Sequence, residues 1–239
     1  MTDAGMFDYL CILDFEATCN DTKPAPKPQE IIEFPTLLLN VRTGVIEREF
    51  HYYIKPDVHP TLTEFCTELT GITQDTVNGG ISLREALDLH QRWIDDNIAN
   101  RDNLNAEGDE TKETTTTTAH RPTFTYITCG DWDLKTCLPN QLAYHNEPTP
   151  SIFRRWLNIK REYQNFYETK KPKGMVGMLR GLNMELEGRH HSGIDDCRNI
   201  GRICQQMLLD GWVPGRRQTP CERNQTSRSN KTVYSDQWC

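Results

Sequence analysis

The chain has 239 residues, 36% of them hydrophobic and 26% charged, and a formal net charge of −7. That composition suits one sizeable soluble domain or a small pair. No apolar run approaches the roughly 18 residues a helical membrane span needs, and the acidic balance argues weakly against a sequence-independent, basic coat for nucleic acid.

The N-terminus carries Asp3 and Asp8 and lacks the basic start and apolar core of a secretory signal. Tyr9-Leu10-Cys11-Ile12-Leu13 opens a buried strand, read over 9–16, that runs into Asp14-Phe15-Glu16. Residues two apart on a strand point the same way, about 6.6 Å along it. Asp14 and Glu16 therefore share a face, where they can hold one or two divalent cations. The plainer alternative is a strand that ends in a polar turn.

Residues 20–29 contain Pro24, Pro26 and Pro28 and read as a loop. Segments 31–40 and 45–54 read as two further strands joined at Thr43-Gly44, so the chain opens with three antiparallel strands. A helix over 61–70 stops at Gly71. Ser82 and Glu85 form a capping box, and Leu83, Ala86, Leu87, His90, Trp93, Ile94 and Ile98 follow at helical spacing. Residues 100–122, with five threonines at 114–118, are a low-complexity insertion expected to be a mobile surface loop. A fourth strand follows at 123–129, then Gly130-Asp131-Trp132-Asp133 leads into a helix. Residues 150–173 carry a mixed helical pattern. Residues 193–209 form a strong helix closed by Asp210-Gly211, and the tail 213–239 is polar and expected to be disordered. Strands first, then helices with a further strand, give an α/β layered domain over 8–212.

Two more acidic sites follow. Asp131 or Asp133 lies just past the fourth strand, where an Asp also serves as a helix N-cap. In His190-His191-Ser192-Gly193-Ile194-Asp195-Asp196, spacing permits His190 with Asp195 or His191 with Asp196. The helical wheel separates them. Ile194, Cys197, Ile200, Cys204, Met207 and Leu208 mark the buried face. Asp195 points to solvent, as a first-turn acid favoured by the helix dipole. Asp196 flanks the buried face, which makes it the better ligand and His191 its partner. Hard cations such as Mg²⁺ or Mn²⁺ take oxygen ligands, and a water nucleophile needs a base of near-neutral pKa, which histidine supplies.

Asp14-Phe15-Glu16-Ala17-Thr18, Trp132-Asp133 and His191-Ser192-Gly193-Ile194-Asp195-Asp196 resemble the three motifs of the DEDDh 3′-to-5′ exonucleases. Within that superfamily the chain is most similar to the Eri-type exoribonucleases, the group like the histone-mRNA 3′-end exonuclease. Glu30-Ile-Ile-Glu-Phe-Pro35, Tyr53-Ile-Lys-Pro56, Leu69-Thr-Gly-Ile-Thr73 and the segment from Trp156 to Tyr167 also fit, so the likeness covers roughly residues 8–212. It favours Asp133 over Asp131 and, independently of the wheel, His191 with Asp196. The resemblance implies a ribonuclease-H-like fold, a mixed five-stranded sheet flanked by helices. It implies that Asp14, Glu16, Asp133 and Asp196 hold two Mg²⁺ or Mn²⁺ ions, that His191 activates water with Glu16 near the nucleophile, and that Ala17 and Thr18 line the terminal-nucleotide pocket. The implied activity is removal of nucleotides from RNA 3′ ends as 5′-monophosphates.

Rival readings are a DNA-acting exonuclease of the same superfamily and a catalytically inactive nucleic-acid-binding relative. The proofreading version of the first is lowered by the lack of an accompanying polymerase domain, the second by five intact motif residues. Nothing ahead of residue 8 reads as the SAP-type module such nucleases often carry, so targeting through one is not expected. Arg154, Arg155, Lys160, Arg161, Lys170, Lys171 and Lys173 interleave with Phe153, Trp156, Tyr163, Phe166 and Tyr167. Most of these aromatics read as core, while Lys170, Lys171 and Lys173, in a Pro/Gly loop, are candidate substrate contacts. The nine scattered cysteines lack metal-site spacing and read as reduced thiols, with Cys197 and Cys204 in the core, in a protein of the cytoplasm, the nucleus or both.

Overall fold

The computed structural model describes residues 7–22, 24–99 and 122–216. The insertion and most of the tail lie outside these residues. One mixed sheet organises the rest. Its strands are β1 (Tyr9–Leu13), β2 (Glu16–Ala17), β3 (Ile31–Asn40), β4 (Ile46–Tyr53), β5 (Phe124–Thr128) and β6 (Trp156–Asn158). β3 pairs antiparallel with β4 on one edge and with β1 and β2 on the other, while β1–β5 and β5–β6 are parallel.

β2 continues β1 after a break. Leu13 faces Thr36 and Glu16 faces Glu33, three residues further along each of the two antiparallel segments. Counted as one interrupted strand, they make the expected five-stranded sheet in the order β4-β3-β1/β2-β5-β6. The expected strand 9–16 thus breaks at Asp14-Phe15.

Helices cover both faces, so β1 is buried along its whole length and needs no polar side. Cys11, Leu13, Phe34 and Tyr126 face α3 (Leu83–Ile94) and α4 (Leu138–Tyr144). Leu10, Ile12, Leu37 and Ile127 face α5 (Ile159–Tyr167), α6 (Met175–Gly181) and α7 (Gly193–Leu209). By the two-residue alternation, Asp14 and Glu16 continue the row of Leu10 and Ile12, toward α7.

Local chemistry sets the helix ends. Thr63 caps α1 (Glu64–Thr70) by accepting from Cys66 N, and Gly71 ends it at φ 78°. Ser82 Oγ accepts from Glu85 N at the start of α3. Two elements have no counterpart in the sequence reading besides α6. These are α2 (Gln74–Asn78), and β6 inside the segment 150–173 read as helical. At five and three residues they are too short to display a period. Cys197 and Cys204 are core, as are Phe153, Tyr163 and Phe166. Among the described residues no helix is long and apolar enough to cross a membrane.

Candidate active site

The break between β1 and β2 builds the site. Asp14 is half-buried and Glu16 is 9% exposed, both on the α7 side of the sheet. β5, parallel to β1, ends beside the break and delivers Asp133 at the start of a π-helical turn, Asp133–Cys137. Asp133 Oδ1 accepts from Phe15 N at 3.0 Å, which pins it to the break itself. α7 brings Asp196 from the opposite direction. Carboxylate oxygens of Asp14, Glu16 and Asp196 lie within 4.8 Å of one another.

The loop before α7 supplies the histidines. His191 takes a left-handed backbone, φ 67°, uncommon for a residue with a Cβ. Its N–H donates to Asp196 Oδ2 at 3.1 Å. Asp195 braces the loop from outside, accepting from Arg189 N at 2.9 Å and pairing with Arg198 at 3.1 Å. The wheel is therefore obeyed: Asp195 turns outward and Asp196 inward. Both histidines reach Asp196. A ring nitrogen of each lies within 4.8 Å of the other and of an Asp196 oxygen, their rings stack at 3.9 Å, and His190 Nε2 is 4.0 Å from Asp196 Oδ2.

Burial governs the electrostatics, and neighbouring charges add to it at Asp14 and Glu16. Burial, then the charges of Asp133, Asp196 and Glu16, hold the Asp14 carboxyl well above its usual range. Burial, then Glu33, Asp196 and Asp133, raise Glu16 to about 9. Burial raises Asp133 and Asp196 to about 6 each. His191 is lowered by burial and then by His190. Four buried carboxyls held toward their protonated forms would each be favoured as anions by a bound cation. Asp196 Oδ1 is also buried with no hydrogen-bond partner. An all-oxygen carboxylate set with an orphaned oxygen fits a hard divalent cation.

The other candidates fall as follows. Ala17 and Thr18 are buried beside Glu16. Thr18 Oγ1 accepts from Glu30 N at 2.9 Å, and Thr18 borders a cavity of about 250 Å³ with Cys19, Asn20, His59, Thr63 and Cys66. Asp131 is a brace, taking Trp156 Nε1, Asn158 Nδ2 and Arg161 Nη2 at 3.2, 3.0 and 2.6 Å. Lys170 and Lys171 are exposed, and Lys173 folds over the Tyr163 ring at 5.8 Å. The cation whose charge bears on Asp14 and Asp133 is Lys160, at the start of α5. The sequence reading placed Lys160 only within a general basic cluster. It also passed over Glu33, although a carboxylate inside the apolar run Ile-Ile-Glu-Phe is as costly a signal as Asp14.

The profile of the exonuclease family, RNase T type, matches residues 11–106. The nuclease domain of 3′hExo, described as a DEDDh family member and solved bound to rAMP, superposes with a TM-score of 0.72 at 34% identity, over 87% of this chain and 95% of that one. The chain belongs to the DEDDh 3′-to-5′ exonuclease family, in its Eri branch. A 3′-exonuclease solved in 3′-end recognition of the histone mRNA stem-loop matches with a TM-score of 0.71 at 34% identity, over 88% of this chain and 85% of that one. Human ERI1 exoribonuclease 3 is 41% identical over 207 residues, 87% of this chain and 56% of the relative. Mouse 3′-5′ exoribonuclease 1 is 38% identical over 206 residues, 86% of this chain and 54% of the relative. This Eri-type chain thus spans about half the length of these two curated relatives.

Proposed function

We propose that the protein is a metal-dependent 3′-to-5′ exoribonuclease that releases 5′-monophosphates. The observation that carries this is the meeting of Asp14, Glu16 and Asp196, with carboxylate oxygens within 4.8 Å of one another, while Phe15 N between Asp14 and Glu16 donates to Asp133 Oδ1 at 3.0 Å. These four residues would hold two Mg²⁺ or Mn²⁺ ions, which when bound stabilise charge on the attacking and leaving oxygens.

The chain's own residues supply the rest. Burial lowers His191, so its imidazole is neutral near neutral pH and can take a proton from water at a ring nitrogen. The N–H of His191 on Asp196 Oδ2 fixes the loop that carries this base. Glu16, within 4.8 Å of Asp14 and Asp196, would border the water that His191 deprotonates. Ala17 and Thr18 line the wall for the terminal nucleotide. Lys160 offers a positive charge beside Asp14 and Asp133, where an incoming phosphate must enter against four carboxylates. Lys170 and Lys171, exposed on the loop after α5, and Lys173 extend a basic path for the strand behind its 3′ end.

RNA is the substrate class because the relatives are named exoribonucleases and one neighbour was solved on a histone mRNA stem-loop. The seven cysteines among the described residues are all free thiols, which suits action in the cytoplasm, the nucleus or both. The test uses single-stranded RNA and DNA, labelled at either end, with Mg²⁺, Mn²⁺ or EDTA. We expect 5′-labelled RNA to shorten stepwise, 3′ label to leave as a mononucleotide, and EDTA to stop both. Inert RNA with both metals, or internal cuts, refutes the proposal, and DNA ladders alone refute the RNA assignment.

A further inference from the structure

A fifth buried acid has no part in that scheme. Glu33 is 1% exposed, on β3 between Ile32 and Phe34. A carboxylate at such depth persists only where its oxygens are taken up. Oε2 accepts from Gly193 N at 2.8 Å. Oε1 accepts from Ile194 N at 3.1 Å and from His51 Nε2 at 2.8 Å.

Two of the N–H groups that open α7 therefore end on one side chain, at the positive end of a seventeen-residue helix. Glu33 is also the registered partner of Glu16 across the β2–β3 ladder. The approach is close. A Cβ on Gly193 would stand 2.8 Å from Asp14 O and 3.1 Å from Glu33 Oε2, so only glycine lets the helix descend onto the strand break. One carboxylate thus joins β3, the His51 side chain of β4 and the first turn of α7, where ligands from sheet and helix meet.

We propose that Glu33 is the positioning residue of the carboxylate site: it clamps the start of α7 to the sheet so that Asp196 stays within ligating distance of Asp14 and Glu16, and His51 holds Glu33 in place. This rests on the reading of the four acids as a metal site. Asp14 and Glu16 ride on the sheet and Asp196 on the helix, three residues after Gly193, so their separation depends on what fixes helix to strand. Repulsion between Glu33 and Glu16 opposes the arrangement. A residue that served only to fill the core would not carry that charge. Glu33→Gln keeps the volume and one acceptor, but turns an amide donor toward groups that are themselves donors.

The experiment is a calorimetric Mn²⁺ titration of the full chain, run on wild type, Glu33→Gln, Glu33→Asp and His51→Gln, with thermal melts in EDTA to report folding. We expect Glu33→Gln to weaken Mn²⁺ binding by about 10- to 100-fold, the range for groups that orient metal ligands. Glu33→Asp, which keeps the charge, recovers part of the loss, and His51→Gln loses less. Activity lost in Glu33→Gln returns on raising Mn²⁺, which a merely misfolded site does not allow. A folded Glu33→Gln that binds Mn²⁺ within about twofold of wild type overturns the proposal. If Glu33→Gln does not fold, unchanged affinity in His51→Gln overturns it. Wild type that binds no Mn²⁺ overturns the metal-site reading and this proposal with it, a result distinct from a wild type that binds beside an indifferent variant.

Discussion

Asp133→Asn is expected to stabilise the metal-free protein at mildly alkaline pH while abolishing hydrolysis. Asp133 is 4% exposed, and burial raises its carboxyl from the usual 3.8 to about 6. A group whose folded pKa is raised contributes stability below its unfolded pKa and loses it as pH rises through the folded value. Above about pH 6 the folded chain therefore carries the cost of ionising Asp133, at most about 3 kcal/mol for a difference of roughly two pH units. Asparagine removes that charge and keeps an Oδ1 to accept from Phe15 N, now at 3.0 Å. For a domain of this size each kcal/mol moves Tm by about 2–4 °C. The gain is therefore up to about 10 °C near pH 8, shrinking to almost nothing near pH 4, where the wild-type carboxyl is already protonated. Thermal melts in EDTA at both pH values measure it. Added Mn²⁺ reverses the order, because wild type gains a ligand-linked stabilisation that the variant has lost. A Tm for Asp133→Asn at or below wild type near pH 8, or the same gain at both pH values, refutes the account by burial of the charge.

The two histidines are separable by kinetics. His191→Ala is expected to lower kcat by about 10²- to 10⁴-fold, the range for a lost general base, with Tm nearly unchanged. His190, 44% exposed and 4.0 Å from Asp196, is expected to cost less than about tenfold on replacement by alanine. Equal losses would show that the stacked pair acts as one unit. In the core, the Phe34 ring is fully buried, with Phe15 at 4.9 Å, Phe50 at 5.2 Å and His90 stacked at 4.8 Å. Phe34→Ala is expected to cost about 3–5 kcal/mol, read from the midpoint of denaturant unfolding. A loss under about 1 kcal/mol would mean the cluster collapses into the space.

Much of the site was legible in the sequence because periodicity reports which way a side chain faces. The alternation of β1 put Asp14 and Glu16 on one face, and the 3.6-residue repeat of α7 turned Asp196 inward and Asp195 outward. Both hold in the fold, where Asp196 is buried and Asp195 pairs with Arg198 at the surface. β6 and α2 escaped because three and five residues carry no measurable period.

What the sequence determined by itself is therefore local: the longer strands, the long helix, the stop at Gly71, the cap at Ser82, and which of the motif acids lie on inward faces. Only the tertiary structure decided which of those residues meet. Glu33 and Gly193 are 160 positions apart, and Asp133 and Phe15 are 118 apart. Their contacts follow from sheet register and from how closely α7 approaches the β1–β2 break, neither of which a pattern along one element encodes. The same holds for both histidines reaching Asp196, for the Lys160 charge bearing on Asp14 and Asp133, and for the shared burial that raises all four acids. These are properties of distance and desolvation, and they come into being only when the elements pack.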